Sequence, residues 1–146
     1  MKCLHVLQHL DREGPGLFHQ IAVAKGFCVC TFRFDLENSL PILKNGDLLL
    51  VLGGPMGIKD IGNPLYSWLN KEIDLIKQAL NQNIGIIGVC LGAQLLAYAS
   101  GGNVEVLRDE ISKKPLAEIG WHNLFSSSLA NNNKFAPLLK KTFPVL

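Results

Sequence analysis

The feature that most constrains the fold of this sequence is the stretch Ile84–Ala97, where an apolar run passes through one cysteine directly into a helix-favouring segment. Its first part, Ile84–Val89, is short and apolar, as in parallel strands covered on both faces. Its second part, Leu91–Tyr98, holds good helix formers and no proline. A glycine lies two residues before and two residues after Cys90, as a pinched turn requires. We therefore predict a sharp strand–turn–helix unit with Cys90 at its apex.

The position of Cys90 favours a reactive thiol over a buried one. The turn places Cys90 at the N-terminus of the helix, where unpaired N–H groups and the helix dipole favour the thiolate, the nucleophilic form of cysteine. A cysteine that ends a strand can also be a small apolar core residue. The two flanking glycines and the strand-to-helix setting favour a nucleophile elbow.

Apolar strands and helix-favouring segments alternate along the chain. The predicted strands are Lys2–Leu7, Phe27–Phe34, Leu48–Leu52, Ile84–Val89 and Asn103–Leu107. Such an alternation, with wholly apolar strands, is typical of an α/β fold with a mostly parallel sheet and helices on both faces. Because Pro144–Leu146 reads as the start of another strand, we expect the sheet to be incomplete at the C-terminus.

One predicted helix has a clear amphipathic pattern. Asn63-Pro64 opens it, and apolar residues then recur at helical spacing: Leu65, Leu69, Ile73, Ile76 and Leu80. The polar residues between them are predicted to face outward: Asn70, Lys71, Glu72, Asp74 and Lys77. This pattern predicts a helix that lies on the sheet with its charged side in solvent.

The composition excludes several classes of function. Of the 146 residues, 48% are hydrophobic and 18% are charged, so we predict one globular domain over residues 1–146. A net charge of +2 without a basic cluster predicts no nucleic-acid partner. No apolar run is long enough to cross a bilayer, and the N-terminus becomes polar too early for a secretory signal. We therefore expect a reduced, cytoplasmic protein with no membrane partner.

Two other cysteines stand close together in the second predicted strand. Cys28 and Cys30 alternate with Val29, so they point to the same face of the strand and are predicted to be core residues. No second pair of cysteines or histidines follows at metal-ligand spacing. We therefore expect no metal site.

A second glycine-rich turn, Gly53–Gly57, follows the third predicted strand. In an open α/β sheet ligands bind outside the carboxyl ends of the strands, and this turn and the Cys90 elbow both project there. Cys90 would attack a carbonyl carbon, and the N–H groups of Gly54 and Leu91 would stabilise the negative oxygen. The turn can also be a plain tight turn. It matches neither a P-loop nor a dinucleotide fingerprint, so we expect no cofactor.

Together, Gly88–Gln94 and Gly53–Gly57 resemble the class I (triad-type) glutamine amidotransferases. The segment Glu118–Trp121 is also similar to the stand-alone, GMP-synthase-like members of that family. The resemblance covers nearly all of the chain. With it, our fold prediction becomes a flavodoxin-like three-layer sandwich.

The resemblance implies roles for particular residues. Cys90 would take the acyl group from the side-chain amide of L-glutamine and release ammonia, with Gly54 and Leu91 as oxyanion donors. Gln94 and Gly53 would contact the substrate, although Gln94 can also be an ordinary polar residue of a first helical turn. The resemblance also implies a synthetase as the partner that accepts ammonia.

The chain departs from the family pattern in its histidines. A His-x-Glu pair completes the triad in that family, because the histidine moves protons and the acid orients it. None of the four histidines here has that context: His5, His9, His19 and His122. His9 follows the first strand and can reach the active edge, although a loop histidine is the simpler interpretation. His122 is a weak candidate for the base because nothing acidic is near it in the sequence. We expect a chain truncated before the pair, with little activity alone.

Three readings of the function therefore stay open at this point. The first is a glutamine amidotransferase-like enzyme, and the second is another cysteine hydrolase of the same fold. The third is a catalytically inactive fragment or a regulatory paralogue. A truncated sheet would expose apolar surface and an unpaired strand edge, so we also expect poor solubility or a dimer through that edge.

Overall fold

The computed structural model describes residues 1–34, 36 and 39–116, and the backbone of residues 122–124 and 143–145. The chain divides into two compact units, Met1–Val104 and Glu105–Leu146. The segment Glu118–Trp121, on which part of the family resemblance is based, lies outside the described residues.

A four-stranded parallel sheet forms the centre of the first unit. Its strands are β1 (Cys3–Leu7), β2 (Cys28–Phe32), β3 (Leu48–Val51) and β4 (Gly85–Gly88). They lie in the order β2-β1-β3-β4, and every pair is parallel. The four strands predicted in this part of the chain are confirmed, with ends that differ by one or two residues. The order is that of flavodoxin-like folds: β2 is added on one side of β1, and β3 and β4 are added on the other side.

Three helices cover the two faces of this sheet: α1 (Leu17–Ala24), α2 (Trp68–Asn81) and α3 (Leu91–Ala99). Ala22 of α1 packs with Leu4, Val6, Leu50 and Leu52 on one face. The other face carries the larger core, in which α2 and α3 pack on alternate strand residues; it includes Leu7, Leu49, Val51, Leu69, Ile76 and Leu95. The predicted three-layer arrangement is confirmed, because both faces of an apolar sheet must be buried.

The α2 region keeps most of its predicted pattern, but Leu80 is exposed and two further residues depart from the prediction. Leu69, Ile73 and Ile76 are buried as expected. Leu65 is exposed, because it lies in a 3-10 turn ahead of α2 that is capped by the side chain of Asn63. The prediction that Glu72 faces solvent is wrong: its side chain is fully buried.

The segment Asn103–Leu107 does not form the predicted strand. In the second unit, the carbonyl of Leu107 accepts the N–H of Leu116, and Arg108 forms an isolated bridge with Pro115. These bonds close a hairpin-like turn, so the backbone groups pair locally and not in the sheet. Two further strands in this unit, β5 (His122–Leu124) and β6 (Phe143–Val145), pair antiparallel.

No helix among the residues described is both long and apolar enough to pass through a membrane.

Candidate active site

The turn between β4 and α3 is a strained strand-to-helix elbow with Cys90 at its apex. Cys90 has φ 52° and ψ −110°, a left-handed backbone that residues with side chains rarely adopt. A Cβ on Gly88 would lie 2.5 Å from the carbonyl oxygen of Gly92, and a Cβ on Gly92 would lie 2.1 Å from that of Val51. Both positions therefore require glycine for reasons of space, and Cys90 is held exposed above them.

The second glycine-rich turn lies directly against this elbow. A Cβ built on Gly53 would be 3.4 Å from the Cβ of Cys90, and one built on Gly54 would be 3.1 Å from Cδ2 of Leu91. The structure thus brings four predicted site residues together at the carboxyl edge of the sheet. This follows from the topology, because β3 and β4 are parallel neighbours whose ends meet at that edge.

A cleft of about 500 Å³ opens beside Cys90. The two glycine-rich turns supply part of its wall: Leu52, Gly53, Gly54, Pro55, Val89 and Cys90. The loop after β1 supplies the rest: Leu10, Arg12, Glu13 and Gly14. The cleft therefore lies beyond the carboxyl ends of β1 and β3. This is the switch point, where the strand order reverses and where open α/β sheets bind ligands.

Sequence reasoning missed Arg12 and Glu13 as site residues. Their side chains are 3.7 Å apart and 82% and 44% exposed, so a cation and a carboxylate reach the cleft mouth side by side. The signal that could have found them is positional. Their loop follows the carboxyl end of β1 and so projects to the same edge as Cys90.

Gln94 lies in the first turn of α3 and is half-buried. Its backbone N–H donates to the carbonyl of Cys90 at 3.1 Å, which fixes the start of the helix. Gln94 and Leu91 are not among the described residues that line the cleft. The geometry places both of them close behind Cys90 and does not bring their side chains into the cleft wall.

His9 and Glu72 form a buried pair beneath the glycine-rich turn. Nε2 of His9 lies 3.0 Å from Oε1 and 3.1 Å from Oε2 of Glu72, and Nδ1 lies 2.8 Å from the carbonyl oxygen of Gly53. The ring also stacks on Trp68 at 5.2 Å between centroids. His9 lies in the bend after β1, so it is a loop histidine as expected, but it is buried at 4% exposure. The pair explains why Glu72 can be buried, since a buried charge needs a partner.

The His9 ring constrains the peptide between Gly53 and Gly54. That peptide is planar and trans, so the Gly53 carbonyl oxygen and the Gly54 N–H point in opposite directions. Because His9 binds the oxygen, the N–H of Gly54 is turned away from His9. Both ring nitrogens are engaged with oxygen atoms in this arrangement, so the ring is not placed to take a proton from Cys90.

Two of the other histidines have positions that the structure describes, and neither lines the cleft with Cys90. His5 lies in β1 and its Nε2 is 3.0 Å from Oδ2 of Asp47, and His19 is exposed on α1. The side chain of His122 lies outside the described residues. Among the side chains that the structure describes, no histidine lines the cleft with Cys90.

The two cysteines of β2 depart from their predicted burial. Cys28 and Cys30 share one face of the strand as expected, but Cys28 is half-buried and Cys30 is exposed. The prediction that both are core residues is therefore wrong. The cause is topological, because β2 is an edge strand of the sheet and its outer side has no neighbouring strand in the described part of the chain.

Comparison with known proteins gives one family and several relatives. The family described as Glutamine amidotransferase class-I matches residues 17–136. A glutamine amidotransferase-like protein of Acanthamoeba polyphaga mimivirus is 36% identical over 101 residues, and the like-named YfeJ of Salmonella typhimurium is 30% identical over 121 residues. These matches take in 69% and 82% of this chain but 42% and 48% of the relatives. The chain therefore spans less than half the length of these relatives.

Solved structures show the same similarity. A glutamine amidotransferase from Thermotoga maritima superposes with a TM-score of 0.78 at 26% identity, covering 99% of this chain and 59% of the other. One from Methylobacillus flagellatus gives a TM-score of 0.79 at 28% identity, covering 100% of this chain and 54% of the other.

A third sequence relative is a synthase. A glutamine-hydrolyzing GMP synthase of Chlamydia caviae is 33% identical over 101 residues, which are 68% of this chain and 18% of that protein.

Proposed function

This chain belongs to the class I glutamine amidotransferase family, and we propose that its cleft hydrolyses the side-chain amide of L-glutamine with Cys90 as the nucleophile. The observation that carries the proposal is the contact of the strained Cys90 elbow with the turn at Gly53. Acyl transfer requires a nucleophile and preorganised hydrogen-bond donors on one reacting carbon. An exposed cysteine beside two backbone turns, in a cleft of about 500 Å³, meets that requirement.

The proposed reaction has two stages. The Cys90 thiolate attacks the amide carbon, and the carbonyl oxygen becomes negatively charged in a tetrahedral intermediate. The C–N bond then breaks, and the nitrogen takes up a proton and leaves as ammonia, so a γ-glutamyl thioester remains on Cys90. Water attacks the thioester and releases glutamate, with the sulfur leaving as the thiolate. Each step uses protein groups and water, so no cofactor is proposed.

Gly54 and Leu91 are the proposed donors to the negative oxygen. Their close approach supports this, because a Cβ on Gly54 would touch Leu91 at 3.1 Å. The hydrogen bond from His9 to the Gly53 carbonyl supports it further, because it turns the Gly54 N–H to the opposite side. Donors that are already oriented need no reorganisation when the charge develops.

Gly53 and Gln94 remain the proposed substrate contacts of the family pattern. Arg12 and Glu13 add a second contact of suitable charge. Free glutamine carries an ammonium and a carboxylate group, and these two side chains offer the opposite charges at the mouth of the cleft. We propose that they hold the amino-acid end of the substrate while Cys90 acts on its amide end.

The proton transfers need a base, and the described wall of the cleft holds no histidine to serve as one. Proton transfer by a positioned side chain contributes about 10²–10⁴-fold to such reactions. We therefore propose that the base comes from residues outside the described part of the chain or from a further segment of a longer protein. We propose that the ammonia passes to a synthetase, which transfers it to an acceptor molecule that is not identified. A cytoplasmic location stays a prediction.

Release of ammonia from L-glutamine tests the proposal. The comparison is between the native chain, Cys90→Ser, and Tyr98→Phe as a control on the exposed part of α3. A diazoketone analogue of L-glutamine gives a second readout that needs only the nucleophile and the binding site. We expect one equivalent of label per chain, protection by L-glutamine, and loss of label and turnover in Cys90→Ser alone. Turnover or labelling that persists in Cys90→Ser would contradict the proposal.

A regulatory role is the second candidate, and it is favoured by the absence of a histidine from the described cleft wall. In that case the site binds glutamine without hydrolysing it. Stoichiometric labelling of Cys90 and protection by L-glutamine, with no ammonia released, would select this role.

A further inference from the structure

Three of the four cysteines gather on one face of the β1–β2 strand pair. Cys3 and Cys28 are partners in the parallel ladder, so their side chains stand on the same side of the sheet. Cys30 follows Cys28 by two residues and points to that side as well. The register of the two paired strands therefore fixes the relative positions of the three side chains.

The sulfur atoms of this thiol cluster are close together. Sγ of Cys3 lies 3.3 Å from Sγ of Cys30, and all three sulfur atoms lie within 4.8 Å of one another. Cys3 is buried at 6% exposure, Cys28 is half-buried and Cys30 is exposed. The cluster is thus enclosed on the sheet side and open to solvent at Cys30.

These distances suit a shared metal ion better than a disulfide. With Zn–S bonds of about 2.3 Å, tetrahedral ligands stand roughly 3.8 Å apart, which lies inside the observed range. A disulfide needs about 2.05 Å between two sulfur atoms and would leave the third thiol unused. A metal ion would engage all three if the sulfur separations changed by about 1 Å or less.

We propose that Cys3, Cys28 and Cys30 form a site for one thiophilic metal ion of the zinc type, held through three sulfur atoms with one position open to solvent. Soft thiolate ligands select zinc and its heavier analogues over hard cations. Each cysteine releases one proton to solvent as its sulfur binds, so three thiols, one Zn²⁺ and one water molecule give a site of net charge −1 and three protons.

The surroundings of the cluster favour a cation. Asp47 accepts the backbone N–H of Cys3 at 2.8 Å and lies 3.0 Å from Nε2 of His5. The carboxyl group of Asp47 therefore lies beside Cys3 at the start of β1. Nδ1 of His5, the ladder neighbour of Cys30, is buried with no hydrogen-bond partner among the described residues.

The thiol cluster is distinct from the proposed active site. Cys3 begins β1, whereas the cleft with Cys90 lies beyond the carboxyl ends of the strands. Metal binding and glutamine hydrolysis can therefore be tested separately, and failure of one says nothing about the other.

Titration of the reduced full chain with Cd²⁺ and Zn²⁺ tests the site. Cd²⁺ reports binding through the ultraviolet absorption of its thiolate bonds, and competition with a chromophoric chelator gives the Zn²⁺ affinity. We expect one ion per chain. Cys30→Ser and Cys28→Ser should each weaken binding at least ~10-fold, since loss of an outer-shell partner alone can cost that much.

Two controls make the result specific. Thr31→Ser changes the next residue of β2 on the opposite face and should leave the affinity unchanged. Cys90→Ser removes the remaining thiol and should also leave it unchanged. Absence of a thiolate signal, affinity unaffected by Cys30→Ser, or binding that depends on Cys90 would each overturn the proposal. Cys30 is exposed, so its serine variant is expected to fold, and circular dichroism checks this.

Discussion

His9 and Glu72 form an enclosed pair: Nε2 of His9 lies 3.0 Å from Oε1 of Glu72, and the two side chains are 1% and 0% exposed. The same ring reaches the carbonyl of Gly53 through Nδ1. The pair therefore connects α2 with the turn that contacts Cys90. Stability and reactivity should both depend on it, and they can be separated by the choice of variant.

The stability contribution of Glu72 is measured against an exposed carboxylate of the same helix. Glu72→Ala leaves His9 buried without its charge partner, and breaking such a pair costs about 3–5 kcal/mol. Asp74→Ala removes a carboxylate that is 78% exposed and only 4.0 Å from Lys77, so we expect a change within about 0.5 kcal/mol. Urea unfolding of both variants checks this. Equal losses of unfolding free energy in the two variants would show that the buried pair contributes no more than an exposed carboxylate.

The effect of His9 on reactivity is expected to depend on the electrophile. His9→Asn removes the ring that holds the Gly53 carbonyl, so the N–H of Gly54, the proposed oxyanion donor, is no longer fixed in direction. Loss of one oxyanion donor costs about 10²–10³ in rate, and we expect at least ~10-fold here for glutaminase turnover or thioester formation. Iodoacetamide alkylates Cys90 without an oxyanion, and that rate should stay within about twofold. A parallel fall in both rates would mean that the substitution simply disrupts the site.

The elbow should tolerate no side chain at Gly92. A Cβ there would lie 2.1 Å from the carbonyl oxygen of Val51, which is backbone and cannot move aside. Gly92→Ala should therefore cost more than the ~1–3 kcal/mol that is usual for overpacking. Gly57→Ala is the matched control, because the nearest atom to its Cβ is 4.0 Å away. Thermal unfolding and soluble yield distinguish the two, and a stable Gly92→Ala protein would refute the elbow geometry.

The charge of Asp47 predicts a pH dependence of stability. Its pKa in the folded chain lies below the ordinary value of 3.8, so the ionised form is favoured by folding. The contribution is therefore complete above that value and is lost as the pH falls through the folded pKa. We expect Asp47→Asn to be less stable than the native chain at pH 7 and closer to it near pH 3. An undiminished difference at low pH would argue against the carboxylate as the cause.

The expected dimer can be tested at β4, which is an edge of the described sheet. Ile87 is 41% exposed on this strand, so the strand offers both unpaired backbone groups and apolar surface. We expect light scattering to show a dimer whose population rises with concentration. Ile87→Lys should shift the equilibrium to monomer, because a charge on an edge strand opposes pairing. A native chain that stays monomeric at high concentration would contradict the expectation.

The strands and the elbow were predictable because their signals are local. Leu48–Val51 is wholly apolar, and the glycines around Cys90 are required by contacts within one turn and with the adjacent strand end. Asn103–Leu107 is predicted as a strand from Val104, Val106 and Leu107, but it lies in no strand of the described sheets. A strand exists only when another strand pairs with it. Composition alone could not supply that information.

The amino-acid sequence by itself determined the α/β alternation, the family and the cysteine at its turn, because apolar periodicity and glycine spacing act between near neighbours. Only the tertiary structure decided that Glu72 is buried against His9, 63 residues away, and that Cys3 meets Cys30, 27 residues away. Sequence patterning predicts that a charged residue on a helix faces solvent, because the partner that allows its burial lies far away in the sequence. Thiols far apart in sequence form a cluster only when strand order and register bring them together.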